Sequence, residues 1–208
     1  TQLENNQFST TARLSGTAIF SGVNYFSGEG ENQFVFQQET FLRLSASFTG
    51  RDMLSLVLEA NNTNTPELVT TNSGREFGST TEGLTTLSNE DGNDNNFVLS
   101  NAEYIFPIID NEHHRWFVTI AAISGFNTSA SLLPRTTITW EGYEQGTGAI
   151  STFGQRSPLY FLAEETGIIT NYDSGPWRLT LVYLASQASD PSDGAGLFNG
   201  DYSSLVQL

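Results

Sequence analysis

The sequence contains no cysteine and no lysine, a single methionine and two histidines, and its eight basic residues are all arginine. Without cysteine there are no disulfides and no thiolate metal sites, which leaves the redox compartment open. Acidic residues number 23 against 8 basic ones, a formal net charge of -15. No basic patch can then neutralise a phosphate backbone, so nucleic acid is excluded as a partner. No stretch approaches the roughly 18 consecutive apolar residues of a spanning helix. No basic-then-apolar signal peptide opens the chain, so an exported protein of this sequence would have lost its N-terminus.

What is abundant is Gly, Ser, Thr and Asn, together with 12% aromatic and 38% hydrophobic residues. That is too much apolar material for a disordered chain. In 208 residues there is enough chain to bury a sizeable core. The composition indicates β structure with polar loops.

Period two is clearest from Phe34 to Phe48. The even positions read Phe34, Phe36, Gln38, Thr40, Leu42, Leu44, Ala46 and Phe48, and the odd ones between them are mostly polar. This predicts a long strand with one apolar and one wet face. Thr49–Asp52 supplies a tight turn into a second strand carrying Leu54, Leu56, Leu58 and Ala60. Upstream, Leu14, Ala18 and Phe20 alternate with polar residues, and Gly28–Glu31 supplies another turn. Residues 62–95 carry almost no pattern and are expected to be a long loop. Patterning resumes with Val98, Ala102, Tyr104 and Phe106 on one face, a connection over Pro107–His114, and a returning strand over Trp116–Ala122. Further strands are expected at Thr136–Tyr143, Leu159–Tyr172, Trp177–Leu184 and Leu197–Leu208, about nine in all. No helix is expected.

Catalytic and metal chemistry find no support. His113 and His114 stand together in a predicted turn beside Asp110 and Glu112, without facing ligands at fixed geometry. Asn89–Asn96 places Gly92 wrongly for a calcium-binding loop. Glu164 and Glu165 are adjacent and point to opposite faces of a strand, so they make no glycosidase pair. No nucleophile elbow or phosphate loop occurs. The expectation is therefore no enzyme, no cofactor and no metal.

Long strands joined alternately by tight turns and long polar loops fit an outer-membrane barrel. A soluble or cell-surface β-sandwich that stacks its aromatics on carbohydrate is the alternative from the residues alone. In the strand after Pro176, aromatics at both ends bracket aliphatics, a layout that suits either. On the wet faces stand Arg13, Arg43 and Arg178, with Glu39 and Glu59 among them. In a barrel these would line the lumen, where rings of charge select ions.

Several segments carry a resemblance. They are Gln7–Gly16 (QFSTTARLSG), Ser47–Leu54 (SFTGRDML), Asn101–Pro107 (NAEYIFP), Phe153–Tyr160 (FGQRSPLY), Trp177–Ala185 (WRLTLVYLA) and Gly196–Tyr202 (GLFNGDY). Together, in this order, the chain resembles the cyanobacterial porins often labelled iron-uptake porins, related to the carbohydrate-selective porin family. The label is a family name; nothing in these residues shows iron specificity.

The resemblance implies a surface-layer-homology domain and a coiled-coil spacer ahead of a barrel that assembles as a homotrimer. Residues 1–208 are then a single, incomplete porin domain, with Thr1–Asn6 as the end of the spacer and the last strands beyond Leu208. The expected fold is an all-β antiparallel meander forming part of a large transmembrane β-barrel in the outer membrane. Its partners are outer-membrane lipid and permeating ions and small polar solutes. Gly146–Arg156 lies where large porins commonly fold a loop inward, which makes Arg156 a candidate charged tip of the constriction, lining the pore with Arg13, Glu39, Arg43, Glu59 and Arg178.

Overall fold

The period-two pattern forms one antiparallel sheet of eight strands in the computed structural model, which describes residues 12–25, 33–63, 92–123 and 165–208. The strands are β1 (Arg13–Tyr25), β2 (Gln33–Ala46), β3 (Met53–Asn61), β4 (Val98–Asp110), β5 (His114–Ile123), β6 (Thr166–Ser174), β7 (Trp177–Ala185) and β8 (Tyr202–Gln207). Each pairs with the next, so the sheet is a meander with β1 and β8 as its edges. Among the described residues it does not close on itself.

The connections alternate in length. Residues 47–52, 111–113 and 175–176 join strands at one end of the sheet, while 62–97, 124–165 and 186–201 intervene at the other, together with 26–32. Gly50 (φ 79) and Gly175 (φ 58) occupy the left-handed region in two of the short connections, where an L side chain is strained.

The 47–52 turn is organised by Asp52. Its carboxylate accepts hydrogen bonds from the Thr49 hydroxyl (2.6 Å) and amide (2.7 Å), the Ser47 hydroxyl (2.8 Å), the Phe48 amide (3.1 Å) and the Tyr104 hydroxyl (2.6 Å). The Thr49 hydroxyl first, then that of Tyr104, hold this carboxyl far below the usual carboxylate range. A depressed folded-state value stabilises the fold above the unfolded value, near pH 4, and the contribution is lost as pH falls further. Asp52→Asn is therefore expected to lower the urea midpoint at pH 7 and to flatten its fall between about pH 4 and pH 2. Parallel acid profiles for the two proteins would remove Asp52 from this role.

The paired register climbs steadily across the sheet. One row runs Ala46, Leu54, Tyr104, Ile120, Ile168, Tyr183, Ser204. It starts at the last residue of β2, beside a short connection, and reaches the opposite end of β7 two residues before Ala185. Strands staggered in this way are tilted relative to the line of their turns, the geometry a sheet needs in order to curl into a barrel.

Four expectations are corrected. Val98, expected to share a face with Ala102, pairs instead with Glu59, and Leu99 with Leu58, because the register shifts between Val57 and Leu58. A bulge adds one residue and inverts the alternation beyond it. Residues 107–110, expected as part of a connection, continue β4. Pro107, which cannot donate to the ladder, sits where the register with β5 slips. The strand expected over Leu197–Leu208 opens instead with a helical turn, α1 (Gly196–Asn199), before β8, which also corrects the expectation of no helix. Of the roughly nine strands, Thr136–Tyr143 and the first part of Leu159–Tyr172 lie outside the described residues, as do Gly28–Glu31 and most of 62–95.

Candidate functional site

The register assigns each strand residue to one of two faces. On one stand Leu14, Phe20, Phe34, Phe36, Leu42, Leu44, Leu54, Leu56, Leu58, Tyr104, Trp116, Ile120, Ile168, Leu179, Leu181 and Val206. On the other stand Arg13, Gln37, Glu39, Arg43, Ser55, Glu59, Glu103, Thr119, Asn171, Asp173, Arg178 and Thr180. Leu54 pairs with Ala46 and Arg43 with Val57, so Leu54 and Arg43 are on opposite sides, as the alternation requires.

Burial is the reverse of a water-soluble sheet. The apolar face is exposed, with Leu14 at 72%, Phe34 at 73% and Trp177 at 64%, whereas Gln37, Ser55 and Thr180 on the polar face are at 0%. The clustered core of Ile169, Val182 and Leu184, with Leu205 against it, also belongs to the polar face. Exposed large apolar side chains stand on this face in all eight strands, whereas the largest apolar patch on a soluble monomer is roughly 300–600 Å².

Aromatic residues band this apolar face at both ends. Near the short connections lie Phe48, Tyr104 and Phe106, whose rings follow one another at 6.1 and 5.7 Å, then Trp116, Tyr172 and Trp177. The Trp116 indole donates to the Thr170 hydroxyl at 2.7 Å, and Tyr172 shares a hydrogen bond with His114 Nδ1 at 2.9 Å. At the far end Phe20 stacks on Phe36 at 6.2 Å, and Tyr183 meets Phe198 of α1 at 5.9 Å and Tyr202 at 5.3 Å. Leucine and isoleucine fill the space between. His113 and His114, near one another in sequence, have no cluster of metal ligands around them among the described residues.

The polar face holds the charges. Arg43 donates to the Ser55 hydroxyl at 3.4 Å, and Ser55 is paired in register with the buried Glu103. Arg13 stands at the exposed beginning of β1, opposite Ser45. Glu39 and Glu59 lie toward the other end of the sheet, diagonal to one another because Glu39 pairs with Asn61 and Phe41 with Glu59. Arg178 is at the short-connection rim, in a two-point ion pair with Asp173 through Nε and Nη2. Arg156 lies outside the described residues.

Sequence reasoning missed a ladder at that rim. Asp110, Arg115, Asp173 and Arg178 occupy successive paired positions on β4 to β7, and Arg51 reaches Asp110 at 3.6 Å from the neighbouring turn, as Arg115 does from β5. Arg115 also lies 5.2 Å over the Phe117 ring. Signs alternate along the row, so the charges largely cancel. Exposed pairs of this kind contribute under about 1 kcal/mol each, and the ladder serves register more than stability. It could not be read locally, because its members are brought together only by strand pairing.

A second missed feature caps the opposite end. Asn93 Oδ1 accepts from the Asn61 amide at 2.8 Å, Asn62 Oδ1 from the Gln38 amide at 2.6 Å, and Asn95 Oδ1 from Gln38 Nε2 at 2.6 Å. Asp94 (φ 53) and Asn95 (φ 62) take the left-handed conformation that these two residue types tolerate best among those with side chains.

Two relatives match nearly the whole chain. A protein of the cyanobacterium Nostoc sp. is 34% identical over 217 aligned residues, covering 100% of this chain and 36% of its own length. One from Synechocystis sp. is 32% identical over 213, covering 99% of this chain and 36% of its own length. Both are uncharacterized. The chain thus spans about a third of the length of the curated relatives it matches. No family model matches the chain, and no solved structure matches it.

Proposed function

We propose that this sheet is part of a transmembrane β-barrel of the outer membrane, a porin through which inorganic ions and small polar solutes diffuse passively. The observation that carries the reading is the inverted burial, apolar side chains outward and polar ones inward. A bilayer is the solvent in which that arrangement is stable. The soluble sandwich read as the alternative would bury its apolar face against a second sheet.

Three further features support the same reading. Seven of the eight strands have 9 to 14 residues, and about 9–11 residues of tilted strand cross a bilayer. Aromatic belts bracket the aliphatic band as at a membrane's two interfaces, and the staggered register fits tilted strands. Among the described residues no helix is long and apolar enough to cross, so crossing falls to strands. On this reading both sheet edges are covered by further strands, and the resemblance to cyanobacterial porins adds homotrimeric assembly.

The test is reconstitution of the natural full-length protein into planar bilayers. Stepwise conductance from detergent-extracted protein is expected; a monodisperse protein in detergent-free buffer, with no conductance, would overturn the reading.

A further inference from the structure

Building on the porin reading, we propose that the pore rectifies, passing small inorganic cations more readily from its long-connection mouth to its short-connection mouth than in reverse. The basis is a segregation of fixed charge along the strands. All five arginines among the described residues stand in the half of the sheet beside the short connections. Arg51 is within the 47–52 turn, Arg115 and Arg178 are the second residues of β5 and β7, Arg43 is three residues before the end of β2, and Arg13 pairs with Ser45. The same half holds Asp52, Asp110, Glu112 and Asp173, with Glu103 nearer the middle opposite Ser55. Five arginines against five acids leave it close to neutral. In the other half Glu39 and Glu59 lie on the strands, while Asp94, Glu165, Asp190, Asp193 and Asp201 stand in or beside the long connections. That half carries seven acidic side chains and no arginine among the described residues.

A passage bordered by one sign of charge concentrates the opposite ion and turns away its like. Current in the long-connection half is therefore carried mainly by cations, and in the neutral half by both ions. When cations are driven from the acidic mouth toward the neutral one, they reach the neutral half faster than it carries them away, while chloride arriving from the other side is stopped at the acidic half. Both accumulate, and the pore holds more carriers. Reversing the voltage draws both ions away from the same junction and depletes it. In an outer-membrane barrel the long connections face outward, so the favoured direction for cations is inward.

The experiment records single channels of the full-length protein in planar bilayers at both signs of voltage, with the same potassium chloride solution on the two sides. At about 0.01 M salt, where fixed charge reaches about 30 Å, the two currents are expected to differ at least about two-fold, and at about 1 M, where it reaches about 3 Å, to become nearly equal. His113→Cys, in the 111–113 connection, marks orientation when a bulky thiol reagent is added to one chamber, with the unchanged protein as control; before labelling it should rectify as the wild type does. The larger current is expected with potassium entering from the chamber opposite the short connections. Arg13→Glu with Arg51→Glu makes the short-connection half acidic as well and is expected to bring the ratio of the currents close to one, with channels retained. Equal currents from the wild type in low salt, a larger current in the opposite direction, or a ratio unchanged in the double variant would overturn the inference and leave the porin standing. Should the double variant fail to insert, a wild-type ratio that 1 M salt leaves unchanged overturns it equally. No channel from the wild type overturns the porin reading itself.

Discussion

Ile120→Arg is expected to destabilise the protein in lipid vesicles by about 2–4 kcal/mol, the cost of an arginine on the lipid side near mid-bilayer. Ile120 is half exposed on the apolar face, between Tyr104 on β4 and Ile168 on β6. In water the same change at an exposed position would stay within about 0.5 kcal/mol. The size of the effect therefore separates a lipid-facing sheet from a water-facing one. Thr17→Arg, on the polar face of β1 opposite Phe41, is the matched change and should cost far less. The measurement is the urea midpoint in vesicles together with heat-modifiable migration on gels. Equal, small shifts for both variants would contradict a lipid-facing Ile120.

Gly167→Ala is the other change expected to have a large effect, by a different route. Gly167 lies opposite Leu184 at the beginning of β6. A Cβ built there would overlap the Tyr183 carbonyl oxygen and come within 3.0 Å of the Leu184 Cα. Both are backbone atoms, so no side chain can rotate away and the strands must part. The cost should equal or exceed the roughly 1–3 kcal/mol of an overpacked core. Gly50→Ala is a useful contrast, since nothing lies within 4 Å of its Cβ and only the positive φ opposes it, at about 1–2 kcal/mol. Matching unfolding midpoints for Gly167→Ala and the wild type would show that β6 and β7 do not approach so closely.

Much of the sheet was legible because its signal is local. The alternation from Phe34 to Phe48 gave β2 its faces, and the tight turn at Thr49–Asp52 gave β3 its direction. Reading failed where one residue changes the phase. The bulge at Ser100, between Leu99 and Asn101, moves Val98 to the other face, and nothing in the string VLSNAEYIF marks it. Pro107 looked like an end and is an irregular point inside β4. The run Leu197–Asn199 looked apolar enough for a strand, yet the chain makes a helical turn there that sets Phe198 against Tyr183.

The candidate site divides in the same way. Arg13, Glu39, Arg43 and Glu59 were legible as polar-face residues because they fall on wet positions of strong alternations. Glu103, Arg115 and Asp173 were passed over, since their partners are tens of residues away and appear only once the register is known. Arg178 was found as a wet-face residue, but its pairing with Asp173 across the 175–176 turn makes it part of the rim ladder.

The central claim is that one face of this sheet meets lipid and the other meets water. The chain has no cysteine, so each introduced thiol is unique within it. Consecutive single-cysteine changes along β1, Leu14 to Ala18, can carry an environment-sensitive fluorophore in vesicles containing a lipid-borne quencher. The account predicts a period of two: blue-shifted, strongly quenched emission at Leu14, Gly16 and Ala18, and water-like, weakly quenched emission at Ser15 and Thr17. Uniform emission along β1, or the opposite phase, would contradict it.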